Sequence, residues 1–85
     1  GMEVDISGAA TTFIILHNDT PGAIAAVTQF LAGQNINIGS FRLSRRQKGG
    51  LAVMTLEVDS PVSTQLNQDL ERLPNIISST VLAPQ

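Results

Sequence analysis

The residues with the most chemistry to offer lie in one run, His17-Asn18-Asp19-Thr20-Pro21-Gly22-Ala23-Ile24. An apolar stretch, Phe13-Ile14-Ile15-Leu16, leads into it, and a helical pattern from Ala25 to Leu31 leads out. A strand therefore stops, turns and starts a helix. Pro21 suits the first helical position, because it has no N–H to leave unpaired and its φ is already near the helical value. Asp19 or Thr20 can cap that helix by accepting a hydrogen bond from a first-turn N–H. Gly22 has no side chain, so a small molecule or another backbone can come close there. A helix start also presents free N–H groups and the positive end of a dipole, which favour a carboxylate. The run reads as a binding turn for a small anionic or zwitterionic metabolite. His17, Asn18, Asp19, Pro21, Gly22, Ala23 and Ile24 are its candidate contacts.

Catalysis by this chain is not expected. His17 is the one histidine, and no Ser–His–Asp set or carboxylate pair follows from the spacing. With no cysteine in the sequence, disulfides, thiol nucleophiles, thiolate zinc sites and an iron–sulfur cluster ligated within the chain all drop out. A net charge of −2 supplies no general field for nucleic acid or an anionic membrane. No apolar run reaches membrane-spanning length, and the first residues lack the pattern of a signal peptide. A cytoplasmic location is compatible with all of this. Neither tryptophan nor tyrosine is present to stack a base or a sugar.

The turn needs a scaffold, and 85 residues allow one domain with one modest core. Gly1-Met2 reads as a tag remnant, and residues 1–10 read as a linker. Residues 11–85 then form the domain, itself a piece of something larger. Thr11 to Leu16 is apolar on both faces, as a central strand is. A helix from Pro21 to Ala32 places Ile24, Val27 and Leu31 on one face, flanked by Ala23 and Phe30. Gly33 or Asn35 can take the left-handed cap that ends it. The strand Ile36–Arg45 changes phase: Ile36 and Ile38 share one parity, Phe41 and Leu43 the other. A bulge near Gly39-Ser40 is the economical explanation.

Arg46-Gln47-Lys48-Gly49-Gly50 reads as a hairpin loop. Leu51 to Asp59 follows as a strand that turns Ala52, Met54, Leu56 and Val58 to the core. Ser60 as cap and Pro61 as first residue open a second helix with Leu66, Leu70 and Leu73 on its buried side. Pro74-Asn75 stops it, and Ile76 to Leu82 forms the last strand. The order β-α-β-β-α-β implies an α+β, ferredoxin-like fold: a four-stranded antiparallel sheet with both helices on one face. Leu51 and Val53 on the other face invite a covering surface, most simply a second copy. That topology hosts many functions. An RNA-binding version needs aromatics on the third strand, which here reads LAVMTLEVD.

The element order, the Asp19-x-Pro21-Gly22 turn and the Asn35-Ile36-Asn37-Ile38 start of the second strand resemble an ACT domain, the amino-acid-sensing module of metabolic enzymes. The likeness runs over about residues 11–83. Two stretches, HNDxPGxIAAVT and INIGxxxxSRxxKGGxAxM, are closer still to the ACT domain in the β subunit of bacterial iron–sulfur-dependent L-serine dehydratases. The resemblance implies a parent enzyme that converts L-serine to pyruvate and ammonia on a [4Fe–4S] cluster held elsewhere. It also implies a homodimer and contact with another domain or the α subunit. The alternative is the C-terminal serine-sensing domain of D-3-phosphoglycerate dehydrogenase, which shares the His-x-Asx-x-Pro-Gly turn.

In that dehydrogenase family serine lies between two ACT domains, held by the turn histidine, an asparagine two residues on, and an asparagine at the start of strand two. His17 and Asn37 match those positions. Asp19 departs from the middle one, and Asn18 is a substitute for it. A carboxylate at position 19 accepts from an α-ammonium group but repels the ligand's carboxylate.

Each of these residues has a plainer reading. His17 can be a surface histidine bonded to its own turn, Asp19 a cap, and Pro21 and Gly22 turn geometry. Asn37 can be a polar residue on the open sheet face. Arg42, Arg45, Arg46 and Lys48 can serve to keep a sheet edge soluble, or to dock a neighbouring subunit. A pairing module without a ligand is the competing function.

Overall fold

The computed structural model describes residues 11–45 and 50–82. The proposed linker, residues 1–10, and the loop residues Arg46 to Gly49 lie outside the described residues. Six elements follow in the order β1 (Thr11–Asn18), α1 (Ala23–Gly33), β2 (Ile38–Arg45), β3 (Leu51–Val58), α2 (Thr64–Glu71) and β4 (Ile76–Leu82). The strands form one sheet in the order β2-β3-β1-β4, every neighbouring pair antiparallel. This is the expected ferredoxin-like α+β arrangement.

The core follows the period-2 pattern of the inner strands. Phe13 and Ile15 of β1 and Met54, Leu56 and Val58 of β3 pack with Val27 and Leu31 of α1 and Leu70 of α2. Each fully buried side chain of this size contributes about 1.5–3 kcal/mol relative to an exposed one. The opposite sheet face leaves Ile14, Leu51 and Leu82 exposed. On α1, Ala23 is completely buried beside Val27 and Leu31, while Ile24 is only partly so. The buried stripe is therefore turned slightly toward Ala23, whose small side chain lets the helix start sit close to the sheet.

Both helix starts differ from the sequence reading. The N-cap of α1 is Gly22, with no side-chain hydrogen bond, so neither Asp19 nor Thr20 caps it. Pro21 lies before the helix, in a turn closed by the Ala23 N–H to the Thr20 carbonyl at 3.2 Å. For α2 the cap is Ser63, whose hydroxyl accepts from the Leu66 N–H at 3.0 Å, rather than Ser60. Pro-initiated patterns permit several starts within a few residues, and the docking of Leu70 against the sheet chooses among them.

The end of α1 and the bulge agree with the sequence reading, whereas α2 ends at Glu71 with Arg72 as its C-cap, short of Pro74 and with Leu73 beyond the helix. Asn35 closes α1 with φ 60° and Asn75 precedes β4 with φ 70°. Pairing steps from Ile38 opposite Val58 to Ser40 opposite Glu57, which makes Gly39 the extra residue.

Candidate functional site

The β1–α1 turn is pinned from two sides by backbone bonds. The Asn18 N–H donates to the Asn75 carbonyl at 2.9 Å, and the Asp19 N–H donates to the Gly50 carbonyl at 2.8 Å. The Thr20 N–H folds back onto the Asn18 carbonyl at 2.9 Å. The turn is thereby held between the residues that start β3 and β4, at one end of the sheet.

His17 is not at the surface. Its side chain shares the core-facing parity of Phe13 and Ile15, and the residue is 1% exposed. Its Nδ1 lies 2.9 Å from the Asn18 carbonyl oxygen. A carbonyl can only accept, so Nδ1 carries a proton and donates to it. Nε2 is buried and has no partner. Leaving a buried polar atom unpaired costs about 1–3 kcal/mol, so this nitrogen is a position where an added partner would be rewarded.

Asp19 is paired rather than capping. Its Oδ2 lies 3.2 Å from Nε of Arg45, the last residue of β2, with 12% of the aspartate side chain exposed. Arg45 thus belongs to the turn, a role its place in a basic hairpin run did not suggest. The strand register could have found it, since His17 and Arg45 both lie opposite Ala52. The guanidinium offsets the charge that would otherwise repel a ligand carboxylate.

The helix start keeps donors in reserve. The Ala23 and Ala26 N–H groups bond to Thr20 and Gly22 carbonyls, while no such bond takes those of Ile24 and Ala25 among the described residues. Gly22 has φ −88° and ψ −9°, ordinary helical values. A Cβ built there meets nothing within 4 Å. Neither strain nor crowding inside the chain requires glycine at this position.

Asn18, Pro21 and Gly22 are exposed, Asp19 and Ile24 are intermediate, and Ala23 is buried. Asn37 is exposed but far away. It precedes Ile38, which lies opposite Val58, which in turn lies opposite Thr11. His17 is six residues further along β1, about 20 Å at ~3.3 Å per residue. One copy of the chain therefore brings His17 to Ile24 together and leaves Asn37 at the other end of the sheet. Among the described residues no three of His, Cys, Asp and Glu are placed to hold a metal ion, and the sequence has no cysteine for an iron–sulfur cluster. No helix among them is long and apolar enough to cross a membrane.

The βαββαβ sheet with a pinned turn after its first strand is a ferredoxin-like scaffold, and the family match says which use of it this is. A family model described as an AHAS small subunit-like ACT domain matches residues 13–78. The chain belongs to this ACT family. It is 40% identical over 83 residues to the probable L-serine dehydratase beta chain of Bacillus subtilis, covering 98% of this chain and 38% of that one. D-3-phosphoglycerate dehydrogenase of the same organism is 32% identical over 78 residues, 92% of this chain and 15% of that protein. The chain thus spans well under half the length of these curated relatives. The ACT domain from GTP pyrophosphokinase of Chlorobium tepidum matches with a TM-score of 0.69 at 17% identity, over 86% of this chain and 96% of that one. That last likeness is one of fold alone.

Proposed function

We propose that this chain is the amino-acid-sensing part of a longer, cytoplasmic L-serine dehydratase, an L-serine ammonia-lyase. In this reading it binds L-serine or a related small amino acid where the turn of one copy meets Asn37 of a second. The likeness that carries the parent assignment is 40% identity over 98% of the chain to the serine dehydratase beta chain. The [4Fe–4S] cluster of such an enzyme draws its ligands from outside this cysteine-free chain. Its other domain or α subunit is the body on which the module acts.

Within the chain, the unpartnered Nε2 of His17 is the observation that supports a ligand. An α-ammonium group donates to that nitrogen, and the ligand carboxylate faces the free N–H groups of Ile24 and Ala25 with the Arg45 guanidinium nearby. Gly22 supplies the clearance. Because His17 and Asn37 lie at opposite ends of the sheet, a ligand held by both has to be shared between two copies. Such a ligand favours their paired arrangement and biases the parent through that geometry.

Calorimetric titration of L-serine tests the reading, with D-serine and His17→Leu as controls. Stereoselective heat that His17→Leu abolishes is expected. No heat from a sample shown to be dimeric overturns it. The second reading, a pairing module without a ligand, is favoured by the 1% exposure of His17, since a ligand can reach Nε2 only if the turn opens. Gly22→Val separates the two: it removes the serine response under the first and changes nothing under the second.

A further inference from the structure

His17 keeps a ring nitrogen buried and without a partner, and the turn that follows it is fastened at three points. The Asn18 carbonyl accepts from Nδ1 of His17 at 2.9 Å and from the Thr20 N–H at 2.9 Å. The ring and the turn therefore share one oxygen. The Asn18 N–H is held by Asn75, just before β4, and the Asp19 N–H by Gly50, just before β3. The third tie comes from the end of β2, where Nε of Arg45 lies 3.2 Å from Oδ2 of Asp19.

The strand register says where that third tie runs. Arg45 and His17 both lie opposite Ala52, on the two sides of β3. Directly opposed residues of antiparallel strands share a face of the sheet, so Arg45, Ala52 and His17 form one row. Its two ends are two strand spacings apart, about 10 Å. Arg45 reaches Asp19 across β3, where the chain carries only the methyl group of Ala52 and, at Gly50, no side chain. The arginine side chain is 59% exposed and the aspartate 12%. The pair thus has one end in solvent and the other against the turn, two residues from His17.

We propose that the Asp19–Arg45 pair is a latch on the β1–α1 turn, and that its release gives a small molecule access to Nε2 of His17. The ties to Asn75 and Gly50 are neutral hydrogen bonds, which salt screens little. An ion pair with one partner largely in solvent weakens as the ionic strength rises. Arg45 thereby sets the fraction of molecules whose turn is open, a shift of population within one fold. The latch regulates the site proposed above and rests on that reading for what enters once the turn is open.

The test reads access without any amino acid. His17 is the one histidine of the chain, so acylation of its ring by diethylpyrocarbonate, followed by ultraviolet absorbance, reports opening of the turn. In the parent chain the rate should rise about two- to fivefold between about 0.01 M and about 1 M sodium chloride, as the screening length falls from about 30 Å to about 3 Å. Arg45→Met keeps an apolar stem and removes the charge. It should react at the faster rate at both salt concentrations. Arg45→Lys keeps the charge and should retain the salt dependence. Amide hydrogen exchange separates the latch from general loosening: in Arg45→Met the Asp19 amide should exchange faster, while Met54 and Leu56 in the middle of β3 keep the parent rates. Acylation indifferent to salt and to Arg45→Met overturns the proposal, as does Arg45→Lys behaving like Arg45→Met. Faster exchange at Met54 and Leu56 together with Asp19 overturns it too, because His17 would then be reached through loosening of the whole sheet. Failure of L-serine to bind in calorimetry would leave all these rates unchanged, so the latch and the sensor reading fail separately.

Discussion

At the scale of single residues, the binding turn is made of side chains whose types were legible and whose environments were not. His17 was expected at the surface or at a ligand, and it is buried with Nδ1 bonded to the Asn18 carbonyl and Nε2 left unpaired. Replacing it with leucine removes one hydrogen bond and one unsatisfied buried atom, effects of opposite sign and each about 1 kcal/mol. His17→Leu should therefore leave the urea midpoint within about 1 kcal/mol of the parent chain, so a lost serine response would report binding rather than unfolding. Asn35 makes a separate prediction. Its φ of 60° is a conformation that asparagine tolerates and β-branched residues avoid. Asn35→Val should lower the unfolding free energy by about 1–2 kcal/mol, and Asn35→Gly should not.

At the scale of elements, periodicity was sufficient for the strands and insufficient for the helix starts. The alternation of Ala52, Met54, Leu56 and Val58 and the phase change around Gly39 both reappear in the register. The caps do not, because Ser60, Pro61 and Ser63 are all acceptable beginnings by local chemistry. Ser63→Ala should cost about 1 kcal/mol, seen as a fall in Tm of about 4–8 °C, while Ser60→Ala should change little. On the β4 edge, the Ser79 N–H donates to Oε2 of Glu71 at 2.8 Å, and the Ser79 carbonyl accepts from Nδ2 of Asn67 at 2.9 Å. This clamp from α2 was invisible in the sequence, since it joins residues from a helix and a strand through an edge that no pattern identifies. Losing Asn67 and Glu71 together exposes that edge. The double alanine variant should both lower Tm and aggregate on heating, measured by light scattering.

At the scale of the whole molecule, the sheet is a platform whose β4 edge is guarded by α2. The turn lies at one end, and Asn37 lies at the other. Linkage makes the consequence measurable. If two copies form the folded unit, Tm should rise with chain concentration, and L-serine at about 100 times its dissociation constant should add about 2.7 kcal/mol to stability. A Tm independent of concentration and of L-serine would contradict both the pairing and the sensor reading. Retention of the first dependence without the second would leave the pairing module.

What the sequence determined by itself was the order of elements, the sides their apolar residues take, and the ACT likeness in the turn and in strands β2 and β3. Those properties are local: strand alternation, helical spacing, glycine and asparagine at positions that bend the chain, and motifs read along one dimension. The tertiary structure alone decided that His17 is buried, that Arg45 answers Asp19, that Asn67 and Glu71 close one edge, and that His17 and Asn37 are a sheet's length apart. Each of these depends on register between strands distant in the chain. Register is set by the packing of the whole core, which no single stretch of residues encodes.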